Sequence, residues 1–167
     1  GRPGREAVMS GSQLPPRMAE MLEDLKLFED RNERLMVLVD FADRFKEVSP
    51  EIATRPFSEA NHVQRCESDA YVFATPHPEG GVQYHFAVEN PQGISAKAMA
   101  VILDETLSGE PPEAIANVPT DFVYEVFGKE LSMGKGQGLM GMIELVKILA
   151  KKTKVDALAK QLKESQA

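Results

Sequence analysis

Hydrophobic residues in the first third of the chain recur every three or four positions. After Pro15 and Pro16, the first such stripe consists of Met18, Met21, Leu22, Leu25 and Phe28. This spacing places the side chains on one face of an α-helix, and proline is favoured in a first helical turn. A second stripe follows the breaking and capping residues Asp30 and Asn32 and consists of Leu35, Leu38, Val39, Ala42 and Phe45. We therefore predict two helices before Ser49-Pro50, where the second must end.

The period changes to two in the middle of the chain. Residues 70–75 are rich in β-forming side chains, and apolar positions alternate with others along residues 82–88. Such alternation is typical of strands with one face on a core, and residues 76–81 are predicted to form the turn between them. The aperiodic polar segment 52–61 is predicted to be a loop, with extended chain resuming at Val63.

Helical spacing returns in the last part of the chain. One helix is predicted to end at Ser108-Gly109, a short helix to begin at Thr120, and a long helix to follow the glycine-rich segment 133–138 and run towards Leu162. We interpret that segment as a flexible entry to the last helix. Because helices and strands are segregated along the chain, we predict an α+β fold in which a small antiparallel sheet of about three strands packs against several helices.

Composition and charge narrow the classes of function. A chain of 167 residues with 43% apolar and 27% charged side chains fits one globular domain. Residues 13–143 carry a net charge of −11, whereas residues 144–167 carry +3. We interpret the terminal lysines as a solvated helix face and predict no nucleic-acid partner, since phosphate binding needs a basic stripe. The longest aliphatic stretch, 98–103, is far shorter than the roughly 20 residues that span a bilayer, so no membrane partner is expected.

Residues 1–13 show no apolar period and are interpreted as a disordered leader or a cloning scar. We predict a cytoplasmic location, or an organellar one if this leader is a processed transit segment. The oligomeric state expected for the chain is a monomer or a weak homodimer.

Cys66 is the only cysteine and the main candidate for chemistry. A lone thiol excludes an internal disulfide framework and any zinc site with two thiolates, and the scattered histidines His62, His77 and His85 do not have metal-ligand spacing. The 133–138 segment resembles a phosphate loop only superficially, because no Lys-Ser/Thr pair follows its last glycine. No metal or cofactor is therefore predicted for this chain.

The neighbours of Cys66 favour an accessible thiol over an inert core side chain, which is the alternative. Arg65, Glu67, Ser68 and Asp69 surround it with polar groups, so the thiol is expected on a connection between two strands, near the surface. Arg65 favours the thiolate and the two carboxylates oppose it, which predicts a moderately reactive thiol. A Cys66–His62 nucleophile pair is a further alternative, but no orienting group or oxyanion donor can be identified nearby.

Three motifs in order resemble the SufE family, the sulfur acceptors of iron–sulfur cluster assembly. Family members open with a Leu-Pro helix, carry a Val-x-Gly-Cys-x-Ser segment before a β-hairpin, and close with a Ser-Arg-x-x-Gly-Leu-x-x-Met helix start. The matching segments of this chain are Leu14-Pro15-Pro16, residues 63–68 and residues 134–142. The resemblance runs from Leu14 to Lys151, with residues 152–167 as a C-terminal helical extension. Two positions depart from the family pattern: Arg65 replaces the glycine before the cysteine, and Lys135 replaces the arginine.

The resemblance implies a SufE/IscU-like fold and a persulfide relay. In that relay, Cys66 takes sulfane sulfur from a SufS-type cysteine desulfurase, which uses its own pyridoxal phosphate, and passes it to a SufBCD-type scaffold. The protein is then a desulfurase-activating accessory rather than a stand-alone enzyme. The resemblance also makes Arg65, Ser68 and Lys135 candidates for loop and partner-contact roles; Arg65 would change the loop shape or supply a charge, and Lys135 keeps a cation without the bidentate fork.

Two other functions are compatible with the residues. A non-catalytic interaction module would bind a desulfurase or scaffold without carrying sulfur. A stand-alone thiol hydrolase would turn over a small ester or amide with no partner present.

Overall fold

The computed structural model describes residues 14–166, so the leader predicted at residues 1–13 lies outside the described residues. In chain order the elements are α1 (Pro16–Lys26), α2 (Arg31–Asp43), a 3₁₀ turn (Glu59–Asn61), β1 (Ala70–Pro76), β2 (Val82–Val88), α3 (Ile94–Leu107), α4 (Pro112–Ala116), α5 (Phe122–Phe127) and α6 (Met133–Gln166). The predicted α+β class is confirmed.

The sheet is a single antiparallel hairpin. β1 and β2 pair in register from Ala70 opposite Val88 to Pro76 opposite Val82. The prediction of about three strands is corrected, because the described residues form a sheet of two. Before β1, the described chain contributes a bridge between His62 and Tyr71. The chain cannot continue as a strand from there, since Arg65 adopts a φ of 62° and turns it away.

Both faces of the hairpin are covered. The side chains of Val72, Tyr84 and Phe86 face the helices and belong to the main core. On the opposite face, Phe73 and Ala87 pack against Val48, Phe57 and other residues of the segment before the 3₁₀ turn. This burial on both sides explains why β1 lacks a clean alternation of apolar and polar residues.

Two helices determine the shape of the core. α3 is central, with nine buried residues, and packs against α1, α2 and β2. The first half of α6 packs against β1, α4 and α5, whereas its side chains are almost all exposed from Lys151 onward. The Tyr84 hydroxyl donates a hydrogen bond to the Val146 carbonyl at 2.6 Å, which joins the sheet to α6 inside the core. Burial raises the pKa of Tyr84, so its hydroxyl stays a donor.

The element boundaries differ from the predicted ones at several places. α1 ends at Lys26 and α2 at Asp43, so Phe28 and Phe45 follow these helices. Pro112 lies just beyond the predicted helix end at Ser108-Gly109 and begins α4, because a first-turn proline loses no helical hydrogen bond. The glycine-rich segment 133–138 forms the first turns of α6 and is not a flexible entry to it.

The buried hydroxyl of Tyr84 gives a stability prediction. Tyr84→Phe removes the hydrogen bond to Val146, and we expect the free energy of unfolding to fall by about 1 kcal/mol in urea titrations. The matched control is Tyr71→Phe on the half-buried side of the sheet, which should change stability by less than about 0.5 kcal/mol. Equal effects of the two substitutions would contradict the assignment.

Candidate functional site

Cys66 lies within a tight turn that connects His62 to β1. The turn is closed by a hydrogen bond from the Val63 amide to the Ala70 carbonyl, at 2.9 Å, and by one from the Asp69 amide to the Cys66 carbonyl, at 3.2 Å. Two residues without the freedom of glycine adopt left-handed conformations here, Arg65 with φ 62° and Asp69 with φ 49°. Such conformations cost energy, so the surrounding packing must hold the turn in place.

The second half of the turn is attached to the end of β2. The Glu89 amide donates to the Asp69 carbonyl at 3.1 Å, and the Asn90 amide donates to the Ser68 carbonyl at 3.2 Å. Ser68 also lies against Gly93, where an added Cβ would come within 2.9 Å of the Ser68 hydroxyl oxygen. The start of α3 thus leaves room for Ser68 only because residue 93 has no side chain.

The first half of the turn lies directly on α6. A Cβ at Gly138 would be 3.1 Å from both the Arg65 carbonyl oxygen and the Cys66 Cα. A Cβ at Gly141 would be 2.9 Å from the Gln64 carbonyl oxygen. These two glycines let the backbone of the turn approach the helix closely and so fix the position of Cys66.

An open groove runs along the thiol. Its volume is about 380 Å³, and Cys66 itself is half-buried in its wall. Leu35 and Ile94 on the rim are 57% and 47% exposed, which gives the groove an apolar edge. The lining comes from α2, the Cys66 turn, the start of α3 and the start of α6, and consists of Leu35, Val39, Cys66, Glu67, Ser68, Gln92, Gly93, Ile94, Ser95, Ala96, Gly134, Lys135, Gly138 and Leu139.

The groove brings together three of the four predicted site residues. Cys66, Ser68 and Lys135 all line it, and the Lys135 side chain is exposed. Arg65 is exposed and lies outside the lining. Its backbone conformation is one that glycine adopts freely, which accounts for the glycine that the resemblance led us to expect at position 65.

The groove's apolar rim and the glycines that hold the turn were not predicted from the sequence. The available signal was the spacing of Gly134, Gly138 and Gly141, which puts three glycines on one face of a helix. It was not recognised because the segment was interpreted as a flexible lead-in.

His62 and His85 make contacts with side chains other than the Cys66 thiol. His62 lies 3.2 Å from the Asp69 carboxylate, so its ring is engaged with a carboxylate and not with the thiol. His85 is within hydrogen-bond distance of the Thr75 hydroxyl, and burial lowers its pKa. Within residues 14–166, no group of three His, Cys, Asp or Glu side chains could hold a metal ion. No helix in the same range has the length and hydrophobicity needed to cross a lipid bilayer.

A second groove, of about 470 Å³, lies between the end of α2 and α3. Its lining includes Asp43, Arg44, Asp104 and Glu105 and has neither a thiol nor an imidazole. We therefore place the candidate site at Cys66.

Fold and site together define a small α+β protein that holds one cysteine on a tight turn beside an open, partly apolar groove. Residues 19–150 match the family model described as "SufE: Fe-S metabolism associated domain". The chain belongs to this family, as the resemblance predicted, and membership implies a role in iron–sulfur metabolism within the assembly machinery.

The chain is similar to a solved structure over most of its length. That structure is the solution structure of a hypothetical protein from Thermus thermophilus, with a TM-score of 0.66 and 26% sequence identity. The match covers 85% of this chain and 98% of that chain. Among curated proteins, none matches this chain.

The close contact at Gly138 can be tested with a matched pair of alanine substitutions. Alanine is favoured over glycine in a helix by about 1 kcal/mol. At Gly138 this gain is opposed by backbone atoms at 3.1 Å, so we expect Gly138→Ala to lower the thermal unfolding midpoint and to change the alkylation rate of Cys66. Gly134→Ala meets only the flexible end of Glu67, at 3.3 Å, and should leave both unchanged or raise the midpoint. Indistinguishable variants would contradict the close approach.

The left-handed residue 65 gives a second prediction. Arg65→Gly removes a conformational penalty of about 1 kcal/mol from the folded state and adds a similar entropic penalty through the unfolded state. We therefore expect its unfolding free energy to stay within about 0.5 kcal/mol of the parent, whereas Arg65→Val should lose about 1 kcal/mol or more. Chemical denaturation of both proteins checks this, and a neutral Arg65→Val would show that the turn is not strained there.

Proposed function

We propose that this protein accepts sulfane sulfur on Cys66 from a SufS-type cysteine desulfurase, stimulates that enzyme, and passes the sulfur to a SufBCD-type scaffold. The observation that carries the proposal is the half-buried thiol on the wall of a groove whose apolar edge is open to a macromolecule. Family membership supports the same assignment.

The transfer step is an exchange at sulfur. The Cys66 thiolate attacks the outer sulfur of the desulfurase persulfide, a new S–S bond forms to Cys66, and the bond from that sulfur to the donor cysteine breaks. The donor leaves as a thiolate, and the proton lost from Cys66 passes to solvent or to the leaving thiolate. No electrons are gained or lost overall, so the step needs no oxidant.

A single thiol suits this chemistry. A second nearby cysteine could attack the persulfide, release the sulfur and close a disulfide. The groove wall covers part of Cys66, which limits the access of small nucleophiles and leaves the thiol within reach of a partner that inserts its own cysteine. A partially covered persulfide is thus protected between donor and acceptor.

The charges around the groove suit a protein partner. Lys135 is exposed on its lining, while Glu67 is exposed on the turn beside Cys66. We assign Lys135 and Arg65 as cationic contacts to the desulfurase and Ser68 as a residue that shapes the turn. The pyridoxal phosphate belongs to the partner, and the reaction takes place in a reducing compartment, cytoplasmic or organellar.

Sulfur loading of Cys66 is the direct test. The protein is incubated with a SufS-type desulfurase and cysteine, and its intact mass is measured before and after treatment with a thiol reductant. We expect a gain of one or more sulfur atoms that the reductant reverses, and no gain on Cys66→Ser. An unmodified parent, or equal modification of Cys66→Ser, would overturn the proposal.

The desulfurase rate separates this function from the interaction module. If Cys66 carries the sulfur, Cys66→Ser should lose stimulation of cysteine turnover while still binding the enzyme. If Cys66→Ser stimulates as well as the parent, the protein acts by binding alone. The Leu35→Asp variant on the apolar rim is the matched control. It keeps the thiol but should weaken stimulation, because a charge on the rim impairs docking to the desulfurase.

A further inference from the structure

The two ends of the Cys66 turn are joined by a side-chain contact that the sulfur chemistry does not require. His62 comes before the turn and Asp69 is its last residue, and the His62 Nε2 lies 3.2 Å from Asp69 Oδ1. Asp69 is also the residue whose amide donates to the Cys66 carbonyl, at 3.2 Å, and whose φ is 49°. A contact that fixes Asp69 therefore acts on the residue that closes the turn around the thiol.

His62 is the fixed member of this pair. Its side chain is 22% exposed, whereas that of Asp69 is 64% exposed. The imidazole lies on the Tyr71 ring with 4.8 Å between centroids, and its Nδ1 is 3.5 Å from the Glu59 carboxylate. The His62 backbone is held as well, by its bridge to Tyr71 and by the hydrogen bond from its amide to the Glu59 carbonyl at 3.1 Å.

We infer that His62 is a positioning residue that holds the Cys66 turn closed through its contact with Asp69. Loss of this contact is expected to make the Cys66 thiol more accessible. The inference deepens the proposed function and rests on it, because controlled exposure of Cys66 matters for sulfur transfer only if Cys66 carries sulfur.

Side chains from three elements surround the imidazole. The imidazole faces Glu59 from the 3₁₀ turn, Asp69 from the Cys66 turn and Tyr71 from β1, with the Arg55–Glu89 ion pair close to Tyr71. His62 is thus the side chain that links the 3₁₀ turn and β1 to the last residue of the Cys66 turn.

Alkylation of Cys66 by iodoacetamide measures the opening of the turn without any desulfurase. The quantity compared is the ratio of rate constants, His62→Ala over parent, with both proteins measured at the same pH. A partly exposed contact of this kind corresponds to a ratio of roughly threefold.

Three further proteins separate positioning from a general loss of structure. His77→Ala changes a histidine on the β1–β2 hairpin and should give a ratio of one. Asp69→Asn removes the charge but retains a side chain that tolerates the left-handed conformation, and it should raise the ratio as His62→Ala does. In the double variant, His62→Ala should add little to Asp69→Asn, because both remove the same contact.

A ratio of one for His62→Ala would overturn the inference. Additive effects in the double variant would overturn it too. If the ratios behave as expected but Cys66 takes up no sulfur, the proposed function fails and the positioning contact stands. If sulfur loads normally but the ratios stay at one, the proposed function stands and the positioning contact fails.

Discussion

The close approach of the Cys66 turn to α6 is the constraint on which the site depends. The backbone around Cys66 lies within van der Waals distance of the helix at Gly138, where an added Cβ would meet the Cys66 Cα at 3.1 Å. Helix and turn can come this close only where the helix has no side chains. The energetic cost is the lower helix propensity of glycine, and α6 tolerates it because its buried apolar face packs against β1, α4 and α5.

The same contact explains how a strained turn is maintained. Arg65 and Asp69 both adopt left-handed conformations, which an isolated peptide would rarely populate. Hydrogen bonds from Glu89 and Asn90 hold the second half of the turn, and the helix supports the first half. The turn is therefore held at both ends while its middle, with the thiol, borders the groove. A thiol in this arrangement has a defined position and a short path to the surface.

The sequence predicted the fold where one local pattern sufficed and missed it where distant segments meet. The amphipathic stripes of α1 and α2 and the alternation in β2 led to the correct elements and to the α+β class. Within residues 14–166 the predicted third strand does not form, because the left-handed Arg65 ends the extended chain after a single bridge. Cys66 was predicted as the candidate from its polar neighbours, whereas the groove beside it is lined by Leu35, Ile94 and Gly138, which are far apart in the chain. No local pattern reports that packing, although the glycine spacing in α6 contained part of the information.

α6 also connects the Cys66 turn, which it supports, with the part of the chain beyond the family match, which ends at residue 150. The helix is continuous from Met133 to Gln166 and crosses the boundary that the resemblance suggested after Lys151. At a rise of about 1.5 Å per residue, the stretch from Gly138 to the end of the helix spans about 42 Å. The exposed lysines of residues 151–166 therefore project from the acidic body on the same rigid element that supports Cys66. Because a helix transmits position along its axis, the orientation of this basic segment relative to the groove is set by the same glycine contacts that hold the turn.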